Sequence, residues 1–190
     1  MKRVISNIEN LIKPSEEEKA ALMAIMQPRT LLKGELFLKE GEVCTKIAFI
    51  EKGSVRLYYA LENGREVSKD FQFENGVIGS LASFFSQLPS NIFVVAVEET
   101  QILEMNYKDV IHLYEHYPAW QKLGRLIAQD HFLKAEQREA SLLKDHPEVR
   151  FKNLMEENPK VYKRIPLQYI ASYLGITPET LSRYRNKFKE

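Results

Sequence analysis

Between Gly34 and Gly79 the chain runs in short apolar blocks separated by regularly placed turn residues. Gly34, Gly41, Gly53, Gly64 and Gly76 stand 7, 12, 11 and 12 residues apart, and no proline falls between Pro28 and Pro89. Turn signals at this spacing with strand-like text between them predict an all-β sandwich or barrel. Val55-Arg-Leu-Tyr-Tyr59 is rich in β-formers. Val67, Lys69, Phe71 and Phe73 alternate with Ser68, Asp70 and Gln72, the period of a half-buried strand. Asn63-Gly64 lies between these two runs and predicts a hairpin. Ile47–Ile50, Ile92–Val97 and Gln101–Met105 read as further strands.

Helical patterns flank this block. Ser15-Glu-Glu-Glu18 is a capping box and predicts a helix from Glu16 to about Gln27, stopping before Pro28. Asn106 is placed to cap a short helix ending near Tyr117. Pro118 suits the first turn of a longer helix reaching about Leu143. Asp145-His-Pro147 breaks the chain, a helix follows to about Glu157, and Asn158-Pro159 makes a turn. On the long helix, positions 119, 123, 126, 130, 133, 137 and 140 are apolar except Asp130 and Gln137. Such a stripe suits a seam between two chains or packing on the β domain, and periodicity does not choose between them.

The sharpest pattern runs from Leu167 to Arg185. Ile170, Ala171 and Leu174 form one inward face. Gly175 can leave the helix with positive φ, and Ile176 plugs the corner. Thr177 can cap a second helix with Pro178 at its first position. Leu181, Tyr184 and Phe188 recur at helical spacing, which predicts a buried stripe, while Glu179, Ser182, Arg183 and Asn186 point away. The pattern resembles the helix-turn-helix motif of DNA-binding regulators.

Charge sharpens that picture. The net charge is only +1, but residues 158–190 carry +5 and residues 1–157 carry −4. A basic end on an acidic body is the footprint of a polyanion-binding module. The 44% hydrophobic content excludes a wholly disordered chain. The longest strong apolar run, Ile92–Val97, is far short of the roughly 18 residues of a membrane span. Met1–Asn10 lacks the apolar core of a signal peptide. Cys44, the only cysteine, excludes an internal disulfide framework, a cysteine zinc cluster and an all-cysteine iron–sulfur cluster. A cytoplasmic protein without a membrane partner is expected.

Over nearly its whole length the sequence resembles the cyclic-AMP receptor protein/fumarate–nitrate regulator (Crp/Fnr) family. The resemblance rests on Lys33-Gly-Glu35, Lys39-Glu-Gly41, Ile50-Glu-Lys-Gly53, Asn63-Gly64, Asn75-Gly-Val-Ile-Gly79, Ile165-Pro166 and Ile170-Ala-Ser-Tyr-Leu-Gly-Ile-Thr-Pro-Glu-Thr-Leu-Ser-Arg183. It implies an α+β fold. An N-terminal double-stranded β-helix, the jelly-roll-like cyclic-nucleotide-binding β-roll with flanking helices, occupies residues 1–117. A long connecting and dimerisation helix covers 118–144, and an all-α helix-turn-helix DNA-binding domain covers 145–190. The implied function is sequence-specific transcription regulation as a cytoplasmic homodimer on an inverted repeat of double-stranded DNA, with RNA polymerase as a further partner. Thr177, Glu179, Ser182 and Arg183 are placed to read bases. Lys163, Gln168, Arg185, Lys187 and Lys189 are placed to hold phosphates. Pro178 stands where some relatives carry a base-reading Arg, so a different operator is expected.

The sequence departs from the family at two places. The phosphate-binding cassette of the family carries a Glu for the ribose and, about ten residues on, an Arg for the cyclic phosphate. Here Ile78-Gly79-Ser80-Leu81 and Ser90-Asn91 stand there instead. Losing the Arg removes a charge-assisted contact worth about 1.5–3 kcal/mol. Control by an unidentified small-molecule effector, rather than ordinary cyclic AMP binding, is therefore expected, with Phe84, Phe85 and Phe93 as candidate lining. The second departure is the two-stranded wing that usually follows the recognition helix, which is expected to be absent.

Enzyme patterns are weak. His112-Leu-Tyr-Glu-His116 matches the inverted zincin spacing, but no further ligand can be argued, so a polar linker helix and no metal are expected. Ser141-Leu-Leu-Lys144 lacks partner motifs. The four His all follow residue 105, so no jelly-roll metal site arises. The alternative to a regulator is a small-molecule-binding or protein-interaction module with a vestigial helix-turn-helix.

Overall fold

The computed structural model describes residues 1–188; Lys189, expected to hold a phosphate, lies outside them. Two helices, α1 (Lys2–Ile12) and α2 (Glu16–Ile25), precede strands β1 (Gln27–Leu31), β2 (Leu36–Leu38), β3 (Lys46–Lys52), β4 (Val55–Ala60), β5 (Glu66–Gln72) and β6 (Val77–Ile78). The short helix α3 (Leu81–Ser86) leads to β7 (Phe93–Ala96) and β8 (Thr100–Asn106). Then follow α4 (Tyr107–His116), α5 (Pro118–Lys144), α6 (Pro147–Glu157), α7 (Pro159–Arg164), α8 (Leu167–Leu174) and α9 (Pro178–Lys187). No helix of the described residues is long and apolar enough to cross a membrane.

The strands form two antiparallel sheets, ordered β1-β8-β3-β6 and β2-β7-β4-β5. Alternation along each strand sends one set of side chains inward. Ala48, Ile50 and Ile78 from the first sheet and Val55, Leu57, Val94 and Ala96 from the second are buried in one core. The roll interior is thus packed with aliphatic side chains. The opposite face of the first sheet, with Ile47, Phe49 and Met105, lies under α2, α4 and α5.

Several expectations need correction. The helix α1 was not legible as one, yet Val4, Ile8 and Ile12 recur every fourth residue and all are buried. The next helix ends at Ile25, because Gln27 and Pro28 join β1, an edge strand where a missing amide is tolerated. The expected alternation in β5 fails. Leu57 pairs with Asp70 but Tyr58 pairs with Ser68, so Lys69 is the extra residue of a bulge. Ser68 is buried as a result, while Val67 and Lys69 are only half-buried. The Asn63-Gly64 hairpin exists, with Gly64 at φ +78 and its amide donating to the Leu61 carbonyl.

Asn106 occupies the cap position of α4 but caps nothing with its side chain, which donates to Asp109 instead. Pro159 does more than turn the chain, since it opens α7. The stripe on α5 divides. Trp120 and Leu123 are buried against the body, whereas Leu133 is 58% exposed, beside exposed Phe132, Leu142 and Leu143.

The C-terminal helices have their own core of Phe151, Val161, Ile165, Ile170, Ala171, Leu174, Leu181 and Tyr184. Phe71, Phe73 and Val97 of the β-roll belong to it too. The helical unit is therefore packed directly on the second sheet. Phe188, expected in the buried stripe, is exposed and stacks on Phe151 at 5.7 Å.

Candidate nucleic-acid interface and effector cassette

The turn between α8 and α9 forms as its residues dictate. Gly175 takes φ +67, and the Ile176 amide donates back to the Ala171 carbonyl at 3.0 Å. The Thr177 hydroxyl accepts from the Thr180 amide, with Pro178 at the first helical position. Ala171 and Leu181 are fully buried where the helices cross. One support was not visible in the sequence. The Arg150 guanidinium donates to the Leu174 carbonyl at 2.9 and 3.1 Å and to the Asp145 carbonyl at 2.7 Å. A single side chain of α6 thereby satisfies an orphan carbonyl at the end of α8 and ties it to the break after α5.

Thr177, Glu179, Ser182 and Arg183 come together as an exposed group on and before the first two turns of α9. The Glu179 carboxyl is held below its ordinary range by its own backbone amide and by the Thr177 hydroxyl, so it is ionised at neutral pH. Lys163 and Gln168 are exposed on α7 and α8, and Arg185 is half-buried. Lys187 is not a free cation, because its Nζ lies 3.0 Å from Glu148 Oε1.

The opposite side of α8 rests on β5. The Ser172 hydroxyl accepts from the Ser68 amide and donates to the Glu66 carbonyl, both at 2.9 Å. Arg138 of α5 donates to the Ser68 carbonyl at 3.2 Å and the Tyr173 carbonyl at 2.8 Å, with its guanidinium 3.7 Å over the Tyr173 ring. Arg56, only 1% exposed, lies between the rings of Tyr58 and Tyr169. Its charge is met by Glu66, and its Nε donates to Ser68 Oγ at 2.8 Å.

At the end of α7, Arg164 reaches Glu74 at 2.9 Å and also pairs with Glu98. Burial raises the affinity of Glu74 for a proton, but Arg164 and the amides of Glu74 and Gly53 outweigh it and hold its pKa at about 2. None of these contacts between elements distant in sequence was read from the sequence.

The expected effector cassette is closed on itself. Ile78, Ser80 and Ser90 are buried, and Gly79 takes φ +133. The Ser80 hydroxyl caps α3 by accepting from the Ser83 amide. The Ser90 hydroxyl donates to the Ile92 carbonyl at 3.0 Å and accepts from the Ile92 amide at 3.1 Å. Asn91 points into solvent. Cys44 is buried, its thiol pushed up by burial and bonded to the Lys46 carbonyl.

The three phenylalanines do not converge on one pocket. Phe84 is buried edge-on to Tyr107, Phe85 is exposed, and Phe93 stacks on Tyr58 at 5.0 Å. Leu81 and Phe85 instead line an apolar void of about 40 Å³ beneath α2, α4 and α5, with Trp120 and Leu123. Such a void is the size of about one water, not of an effector.

Comparison with known proteins agrees with this layout. Residues 28–117 match the cyclic nucleotide-binding domain. The chain is 26% identical over 179 residues to the anaerobic regulatory protein of Haemophilus influenzae, covering 87% of this chain and 68% of that one. It is 27% identical over 164 residues to the nitrogen fixation regulation protein FixK of Rhizobium meliloti, covering 83% of this chain and 72% of the relative.

Among solved structures, FixK2 from Bradyrhizobium japonicum superposes with a TM-score of 0.76 at 17% identity, over 86% of this chain and 84% of that one. The regulator CLP of Xanthomonas campestris, described as c-di-GMP responsive, gives 0.73 at 14% identity over 92% of both chains. These relatives are regulatory proteins rather than enzymes, and the superpositions show the shared fold. A match to the cyclic nucleotide-binding domain over residues 28–117, a long helix leading to a helix-turn-helix, and likeness over 83–87% of this chain to such regulators together support a regulator of the Crp/Fnr family.

Proposed function

We propose that the chain is a sequence-specific DNA-binding transcription regulator, active as a homodimer and controlled by an effector other than cyclic AMP. The observation that carries this reading is the free outer face of α9. Its opposite face, with Leu181 and Tyr184, is buried, and α8 is docked on the β-roll by its far side. Thr177, Glu179, Ser182 and Arg183 are left open to a major groove. Glu179 accepts from a cytosine amino group, and Arg183 takes guanine O6 and N7 in a bidentate fork. Lys163, Gln168 and Arg185 hold phosphates and set the register, with Lys187 and Lys189 beyond them.

The exposed Phe132, Leu133, Leu142 and Leu143 of α5 support a dimer seam along the second half of that helix. Residues 1–117 then serve as the sensor, 118–144 as connector and dimer helix, and 145–190 as the DNA-binding unit, with RNA polymerase as a further partner. Effector control other than by cyclic AMP is supported by the cassette, where Ser80 and Ser90-Asn91 stand in place of the family's Glu and Arg and both serine hydroxyls bond to the protein itself.

Selection of genomic fragments with purified protein, followed by binding at several salt concentrations, tests the reading. The expected result is a shared inverted repeat, bound by a dimer with steep salt dependence. A monomer that enriches no sequence overturns it.

A further inference from the structure

The last turn of α4 brings together three side chains that the proposed DNA-binding and sensing roles leave unused. His112, Glu115 and His116 lie three and four residues apart and so share one helix face. One donor atom of each lies within 4.8 Å of the other two, and all three residues are exposed. The two imidazole centres are 4.0 Å apart, with the rings tilted by 36°.

The His116 Nδ1 stands 2.8 Å from the His112 carbonyl oxygen. A carbonyl only accepts, so Nδ1 carries the hydrogen and the neutral ring keeps its lone pair on Nε2. The backbone contact thus orients His116 as an outer partner orients a metal-binding histidine. His116 is also the final residue of α4, where the helix presents the negative end of its dipole, and Glu115 adds a full negative charge.

We propose that His112, Glu115 and His116 form a surface site for a divalent transition-metal ion. Two imidazole nitrogens and one carboxylate oxygen are the ligands, and water completes the shell. The donor set favours zinc, copper, nickel or cobalt over magnesium and calcium, which take oxygen ligands. The sequence alone offered no further ligand beyond the histidine pair; in the folded helix the glutamate of the same motif supplies it. The site ends one residue before Tyr117-Pro118, the joint between α4 and α5. An ion held there ties the last turn of α4 together where the chain changes direction.

Calorimetric titration of the untagged full chain with zinc chloride, and electron paramagnetic resonance with copper(II), test the site. One ion per chain at micromolar concentration is expected, with nitrogen hyperfine splitting in the copper spectrum. The His112→Ala/His116→Ala double variant loses both signals while keeping its circular dichroism spectrum, since both side chains are exposed. Glu115→Gln weakens zinc binding by about tenfold or more. His146→Ala leaves it unchanged, and magnesium chloride gives no saturable heat. Absence of saturable zinc binding, or binding that survives in the double variant, overturns the proposal.

Discussion

Ser172 completes the edge of strand β5 from a helix, its hydroxyl accepting from the Ser68 amide at 2.9 Å while donating to the Glu66 carbonyl at 2.9 Å. The final strand of a sheet leaves a row of amides and carbonyls without neighbours. Here one side chain of α8 does what a neighbouring strand would do, and it fixes the helix-turn-helix against the β-roll. Arg138 binds the Ser68 carbonyl from a third element, so α5, α8 and β5 meet around one buried serine.

Ser172→Ala leaves the Ser68 amide without its partner. A buried donor left unpaired costs about 1–3 kcal/mol. The expected outcome is a lower urea midpoint and faster hydrogen exchange at the Ser68 amide, with the circular dichroism spectrum unchanged. Exchange at Ser68 equal to that of the parent protein contradicts the role given to Ser172.

The Arg164 contact predicts an acid-sensitive docking. Glu74 titrates at about 2 when folded against an ordinary value of 4.5, so the folded state binds its proton more weakly than the unfolded one. The stabilisation is therefore complete above about pH 4.5 and is lost as the pH falls toward 2. Arg164→Ala removes the main favourable partner. The Glu74 carboxyl, followed by carbon-detected NMR, is expected to titrate higher in that variant, and the acid limb of stability to flatten. An unchanged Glu74 titration counts against the ion pair.

Gly53→Ala is expected to destabilise strongly. A Cβ at this position would sit 2.5 Å from Thr100 Oγ1 and 2.6 Å from its Cα, and the backbone φ is +113. The backbone strain alone costs about 1–3 kcal/mol, before the collision with Thr100 is counted. Gly64→Ala, with φ +78 but open space around it, keeps only the strain. Urea unfolding of the two variants side by side shows whether the Gly53 effect is the larger.

On DNA, Arg183→Ala is expected to cost about 1–3 kcal/mol and relax preference at one base pair. Lys163→Ala is expected to weaken specific and random DNA alike and to lower the salt slope by about one. Lys187→Ala has a smaller effect on that slope, because Glu148 already neutralises the ammonium. Equal losses on operator and random DNA for Arg183→Ala contradict its base-reading role.

Cyclic AMP is expected to give no micromolar binding in calorimetry. Ser80 and Ser90 spend their hydroxyls on the protein itself, and a buried phosphate needs a paired cation. Micromolar binding that is lost in Ser80→Trp shows that the pocket kept its ligand by another residue.

The helix-turn-helix was legible residue by residue because its determinants are local. Gly175, Thr177 and Pro178 set the turn by backbone preference, and Ile170, Ala171, Leu174 and Leu181 set the crossing by helical spacing. The strands β3 and β4 were equally readable from short apolar blocks between glycines, and β7 and β8 from the runs Ile92–Val97 and Gln101–Met105. The helix α1 was present in the sequence as Val4, Ile8 and Ile12, a pattern too sparse to stand out without the sheet it covers.

The tertiary structure alone decided the rest. The bulge at Lys69 interrupts the alternation beside buried Ser68, whose amide donates to Ser172, 104 residues away along the chain. Arg164 finds Glu74 and Glu98 across 90 and 66 residues, and Arg56 is enclosed by a tyrosine of α8. Hydrophobic period and turn chemistry act over a few residues, so a sequence states them openly. Which polar group satisfies which buried partner depends on how packed elements meet, and no local pattern carries that information.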